Sequence, residues 1–433
     1  MIETLKQTAQ KAVEALQREG AEKSTGTVTC TVTHEFNVDG GEFSLFRTLF
    51  DKKLTMSAIT GGRRGTVSQN RYDDAAISES AKACMDAANA SMPDEAWDIA
   101  PLTKNEDFTL GAVRPDLDRL FFRCRELMDT IGTRFPKIIM EQMIVSHVEE
   151  SEAFANSNGV LFSTHRGSYT VSLMFSGHEG EKASSFFGTG VTTEDLDQPF
   201  LACGSIETDL ANVEKQIETE SVDGKFEGTM VLMPGCTGEL IGGMLMDFAG
   251  EQGLLSGTSP WKEKLGDQVA DECVTVSLAP LDDRIVCGER YTGDGFPAEN
   301  FDVIRNGRLE AFALGLYGAN KLGLPRAAND SFHMIMAPGD KPLSEIIASI
   351  DKGILVGRFS GGQPASNGDF SGVAKNSFLI ENGKIGPALA ETMISGNLAD
   401  MLRRVRAISK ETVSEGMTVL PYAAFDGITV SGR

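Results

Sequence analysis

The five histidines of this chain, His34, His147, His165, His178 and His333, are the first residues to consider for metal chemistry. No two stand at the i, i+3 or i, i+4 spacing that puts both imidazoles on one helix face. His34-Glu35 begins like an HExxH motif, but Val38 takes the second histidine position and the surrounding residues read as a strand. There is no GxSxG elbow for an activated serine. Neither GxxxxGK[ST] nor a GxGxxG following a strand is present to cradle a phosphate. Gly61-Gly62-Arg63-Arg64-Gly65 reads as a hairpin turn with exposed cations. The remaining candidates lie between Asp351 and Asn397, where short apolar runs alternate with Gly, Asn and Asp. Such a stretch predicts tight β-hairpins, with Asn382-Gly383 the clearest turn. Its sharper reading is a rigid sheet that presents Arg358, Ser360, Asn367, Asp369 and Asn376 to a ligand. The planar fork of Arg358 suits a carboxylate or a peptide carbonyl, against the plainer role of an internal ion pair pinning the hairpins. For Asp369 and Asn376 the plainer role is turn capping.

The elements that would position these residues fall into three units. Ile2, Leu5, Ala9, Ala12, Val13 and Leu16 recur at helical spacing, and Gly20 ends the run. Strand-like segments follow at Gly26 to Thr33, Phe43 to Leu49, Lys53 to Ile59 and Gly65 to Ser68, then a helix from Asp73 to Ala90. The second unit repeats this order: a helix opened by Pro115-Asp116 and stopped by Pro136, strands at Ile138 to Val148, Val160 to Ser163 and Tyr169 to Phe175, and a helix from about Pro199 to Glu218. It reads as a structural echo of the first unit. The third unit opens with the strand Gly228 to Pro234 and a helix-like segment, Thr237 to Ala249. Short strands, helices at Tyr317 to Leu322 and Lys341 to Asp351, the hairpins and a helix from Leu398 to Ile408 complete it. The expected class is α+β: N-terminal helix-plus-strand units followed by a large β-rich C-terminal domain of twisted antiparallel sheets. The expected boundaries are 1–110, 111–222 and 223–433.

Composition narrows the function further. The chain has 433 residues, of which 46 are Gly, so turns are frequent and a β-rich protein is expected rather than a helical bundle. A formal net charge of −22 repels a phosphate backbone, which argues against direct nucleic-acid binding. No run of about 18 apolar residues is present, so no membrane helix is expected. The N-terminus, beginning at Met1, lacks the apolar core of a signal peptide, so the expected compartment is the cytoplasm. Seven dispersed Cys without a CxxC pair fit reduced, mostly buried thiols.

Several motifs taken together resemble the TldD/PmbA family, whose members look like peptidases and have been called modulators of DNA gyrase. These are Pro338-Gly339-Asp340-Lys341, Gly353-Ile354-Leu355-Val356, Arg358-Phe359-Ser360-Gly361-Gly362, Asn367-Gly368-Asp369-Phe370-Ser371 and Ile394-Ser395-Gly396-Asn397. The resemblance implies a zinc metallopeptidase assembly whose TldD branch carries HExxxH on the helix opening the third unit, plus a Cys near the C-terminus. Two His on one helix face and a distant third ligand would hold zinc with an open position, and the Glu would act as base toward the metal-bound water. The matching helix here, Gly238 to Ala249, holds no His, and no Cys follows Cys287. The pattern is similar to the PmbA (TldE) branch. It implies no catalytic residue, metal ligand or cofactor in this chain, and zinc on a TldD-like partner. A homodimer is the other assembly, with a peptide as substrate in either case. Two further readings stand beside it: a peptidase with a non-standard carboxylate site from Glu239, Asp247 or Glu251, and a non-catalytic binding or regulatory protein.

Overall fold

A computed structural model describes residues 2–361 and 364–432; Met1 and Gly362, the last residue of the Arg358–Gly362 motif, lie outside them. Two large sheets organise the chain. The first has eight strands, with the central order Arg63–Gln69, Glu42–Thr60, Lys23–Asp39, Ile138–Asn156, Leu161–Glu179 and Glu106–Gly111. Lys23–Asp39 pairs antiparallel with Ile138–Asn156 from Thr25 opposite Asn156 to Asp39 opposite Gln142. The expected boundary at 110/111 therefore falls on a strand of a sheet that both flanking segments build. Several segments read as separate strands are joined: Phe43 to Leu49 and Lys53 to Ile59 form one strand, as do Val160 to Ser163 and Tyr169 to Phe175.

Both helix pairs lie on one face of this sheet. The helices Ile2–Arg18 and Asp74–Ala90 bury Leu5, Ala9, Leu16, Ile77 and Cys84 against Val28, Leu54, Met56 and Ala153. Gly26 permits the close approach, since a Cβ there would stand 2.9 Å from the Ala9 carbonyl oxygen. Further along the same strands, the helices Leu117–Arg134 and Ile206–Lys215 bury Leu120, Leu127, Leu210 and Val213 against Val38, Val145, Val171 and Leu173. Val28 and Val38 share a parity along their strand, so the two pairs are side by side, the echo visible in the sequence.

The second sheet has eleven strands, and five of them close on themselves. Lys225–Leu232 pairs with Lys352–Gly361, which pairs with Asp369–Glu381, then Thr392–Asn397, then Val419–Ser431, which returns to Lys225–Leu232. The result is a small barrel, antiparallel except where Lys225–Leu232 runs parallel to Lys352–Gly361. Closure removes the free edges that a five-stranded sheet would otherwise expose. The mean α+β expectation holds, but the last predicted helix is shorter: Leu398–Arg403 is helical, and Val405–Ser414 is a strand paired with Val419–Ser431. The β-branched Val405 and Ile408 favour that extended pairing.

The two halves are pinned together at several points. Tyr291 stacks on Phe162 with centroids 5.0 Å apart and donates a hydrogen bond to Glu152 (3.0 Å). Trp97 stacks on Tyr317 at 3.8 Å, and Asp94 accepts hydrogen bonds from Tyr317 and Lys321. Phe425 lies in the largest core with no exposed surface, opposite Met230 in the register that closes the barrel. Phe425→Ala should cost about 3–5 kcal/mol, read as a lower denaturant midpoint at unchanged slope.

Candidate functional site

The strand Lys225–Leu232 leads through Met233 into the helix Pro234–Phe248, with Pro234 at its first turn, where a missing N–H costs nothing. Its apolar side, Leu240, Ile241, Met244, Leu245 and Phe248, enters the core. The other side carries Gly235, Gly238, Glu239 and Gly242 and runs between two cavities. The first cavity, about 380 Å³, lies between the halves of the molecule. Glu239, Arg358, Glu415 and Tyr422 face Thr189, Ser205 and Asp209 across it. The second, about 360 Å³, is apolar, lined by Gly238, Gly242, Leu245, Phe332, Met334 and Leu420 among others. Gly235 and Glu415 border both.

Three carboxyl groups in the first cavity hold their protons more tightly than usual. Burial pushes Asp209 up to about 6, although Ser205 and Thr189 donate to its carboxylate at 2.6 and 2.7 Å. Burial raises Glu239, with the Arg358 guanidinium opposing the shift. Glu415 is raised by burial and by the charge of Asp209. Burial and the same charge raise the Tyr422 phenol. Asp209, at about 6, accepts hydrogen bonds when ionised and donates one when protonated. A cavity lined this way can meet both the N–H and C=O groups of an extended peptide, and the neighbouring apolar cavity can take a side chain.

Of the five residues expected to meet a peptide, only Arg358 lines this cavity; Glu239, named for a non-standard carboxylate site, lines it too. The Arg358 guanidinium lies 4.8 Å over the Phe186 ring and donates a long hydrogen bond, 3.4 Å, to the Phe186 carbonyl. It makes no ion pair among the described residues, so the expected hairpin-pinning bridge is not what holds it. Ser360 sits two residues on, opposite Val373, and lines neither cavity. Asn367 and Asp369 form a separate network: Asn367 donates to Asp369 at 2.8 Å, and Asn397 donates to Asp369 at 2.9 Å. Asn397 also caps the helix Leu398–Arg403. These bonds hold the Asp369 carboxyl below the usual range and fix a turn. Asn376 is buried behind Gly357 at a left-handed φ of 51°, and neither end of its side-chain amide has a partner. A Cβ on Gly357 would stand 2.7 Å from the Asn376 carbonyl oxygen, so the glycine is required where the strand passes the cavity.

The carboxylates proposed for a non-standard metal site do not come together. Glu251 accepts hydrogen bonds from the amides of Gly315 and Gly318 at the start of the helix Leu316–Leu322, away from Glu239. No three His, Cys, Asp or Glu side chains converge at metal-binding spacing among the described residues. The donors present therefore do not fit a resident zinc ion.

Residues 225–432 match the family model described as the PmbA/TldA metallopeptidase C-terminal domain. The chain belongs to the TldD/PmbA family. The metalloprotease PmbA of Escherichia coli O157:H7 is 22% identical over 91% of this chain and 87% of its own length. A metalloprotease of Methanocaldococcus jannaschii is 27% identical over 43% of this chain, and the match spans 44% of that relative's length. The crystal structure of TldE from Thermococcus kodakarensis shares the fold, with a TM-score of 0.85 and 20% identity over 97% of this chain and 100% of that one. The TldD/PmbA resemblance was legible in the hairpin motifs. Asp209, Glu415, Ser205 and Thr189 were not, because they come from distant segments that only the fold brings together.

The raised Asp209 gives a pH signature. Its folded value, about 6, exceeds the ordinary 3.8, so between these values the unfolded chain releases the proton first and stability falls as pH rises. Asp209→Asn removes this loss. Denaturant titrations should show the variant gaining on the parent from pH 4 to 6.5, by up to about 3 kcal/mol, and holding a constant margin above.

Proposed function

We propose that this chain is the metal-free, peptide-holding subunit of a peptidase assembly, and that the catalytic zinc belongs to a TldD-like partner chain. The observation that carries the reading is the helix Pro234–Phe248. It brings Glu239 to the cavity between the halves, yet it supplies no imidazole, and no donor set converges around it among the described residues. Setting Glu239 at the acidic position of HExxxH puts Gly238 and Gly243 where the histidines would stand. Neither residue can ligate a metal.

The residues that remain support binding and orientation. Arg358, held over Phe186 without an ion pair, offers donors to a peptide carbonyl or C-terminal carboxylate. Glu239, Asp209 and Glu415 offer paired donor and acceptor capacity along the same cavity, and the apolar cavity beyond Gly238 offers room for a side chain. Water is displaced from both sides of the helix when a peptide fills them, which strengthens each polar contact. The partner chain supplies the hydrolytic step.

Two measurements test this. Metal analysis of the purified chain should find zinc well below one equivalent. Peptide cleavage should require an HExxxH-bearing relative, and Arg358→Ala should lower the affinity of the chain for an extended peptide about tenfold, or ~1.4 kcal/mol. Chelator-sensitive cleavage by this chain alone would refute the assignment.

A further inference from the structure

The apolar cavity beside the helix Pro234–Phe248 joins fixed walls to exposed ones. Leu245, Leu278, Val303, Met334 and Leu420 line it, and all five belong to the largest core of the molecule. Core packing holds those side chains in place, so the space is preformed. Two other walls, Phe332 and Met246, keep 69% and 43% of their surfaces open. Exposed apolar walls around a hollow mark a binding site. Thr418 and Glu415 bring the only polar side chains that line it among the described residues. The helix contributes glycine where a side chain would fill the space. Within 4 Å a Cβ on Gly242 would meet only Met334, at an ordinary 3.6 Å from its Cε, whereas one on Gly238 would stand 2.8 Å from Leu420 Cδ1. An apolar cavity of about 150 Å³ takes a benzene ring in a protein interior. The volume here is about 360 Å³.

We propose that this cavity selects which peptides the chain holds: it takes one large apolar side chain, aromatic or long aliphatic, from a peptide whose main chain lies in the first cavity. The inference rests on the peptide-holding role and gives the class of peptide. Continuity of the two cavities names the occupant. Gly235 and Glu415 line both, so a chain held in the first borders the second. Glu415 is fixed at that junction. Its carbonyl oxygen accepts from the Thr192 amide at 3.0 Å, and the next carbonyl, that of Gly416, accepts from the Val286 amide at 2.7 Å. Gly416 takes a φ of 83°, and a Cβ there would stand 2.1 Å from the Thr192 carbonyl oxygen, so the turn sits tight between the halves. The Glu415 carboxylate can accept the main-chain N–H beside the anchoring side chain. The lining sets the chemistry of the anchor. An acidic or amide side chain would lose its water and gain too few partners to offset the loss. An apolar one gains by leaving water. The Met246 and Met334 thioethers adapt to different apolar shapes and make favourable contacts with aromatic ring edges.

The test is calorimetric titration of the purified full chain with Ala-Ser hexapeptides that carry Phe, Leu, Ser, Asp or Lys at one central position. The Phe and Leu peptides should bind about thirtyfold tighter than the Ser peptide. Their heat-capacity change on binding should also be more negative, the mark of apolar burial. The Asp and Lys peptides should bind no tighter than the Ser peptide. Gly242→Leu fills the cavity and should erase the preference for Phe and Leu. Phe332→Ala removes an exposed wall that the core does not need, and should reduce the preference about fivefold. Arg358→Ala should weaken all the peptides by one common factor and keep the preference. Peptides that bind alike whatever the central residue, tightest binding by the Lys peptide, or a preference that survives both Gly242→Leu and Phe332→Ala would overturn the selection and leave the holding role standing. Absence of binding by every peptide would overturn the holding role itself, and the named occupant with it.

Discussion

Main-chain pairing of Lys225–Leu232 on both sides is the constraint on which the rest depends. One edge of the strand bonds to Lys352–Gly361 and the other to Val419–Ser431, so the barrel closes through it. The helix Pro234–Phe248 leaves that strand immediately and has no freedom in where it starts. Its apolar residues must enter the core, which forces Gly235, Gly238, Glu239 and Gly242 toward the cavities. Arg358 comes from the parallel neighbour Lys352–Gly361, and Tyr422 from the antiparallel one. Three walls of the first cavity are therefore consequences of one pairing pattern. The fourth comes from the other half of the molecule, held by Tyr291 on Phe162 and by Asp94 with Tyr317 and Lys321.

That geometry separates positioning from chemistry. The scaffold can present whatever side chains the helix carries at its exposed positions. Where those are Gly and Glu, the result is a desolvated carboxyl beside an arginine, with Glu415 on the same side and Asp209 across the cavity. The proposed role of this chain follows from that set: donors and acceptors for a main chain, room for a side chain, and no ligand cluster for a metal.

The fold was largely legible in the sequence because its periodicities are clear. Ile2–Arg18 and Leu117–Arg134 are amphipathic, and Asn382 takes a positive φ in its turn, as the Asn-Gly pair predicts. What could not be read was strand length and long-range pairing. Arg166 interrupts an apolar run locally, yet it lies on the same continuous strand, on the face turned toward the other half, where it donates a hydrogen bond to the Cys287 carbonyl. The site was legible only at Arg358 and, as a candidate carboxylate, at Glu239. Asn367 and Asp369 looked equivalent to Arg358 in composition, but their side chains bond one another and Asn397. Asp209 and Glu415 gave no signal, since nothing local to either segment distinguishes a carboxylate destined for a cavity from one on a solvated surface.

The most direct test of the central claim is binding of a fluorescent extended peptide to the purified chain in the presence of a strong chelator, followed by anisotropy. A metal-free peptide-holding chain should show saturable binding that the chelator leaves unchanged and that Arg358→Ala weakens. Binding that appears only when zinc is added, or no binding at all, would contradict it.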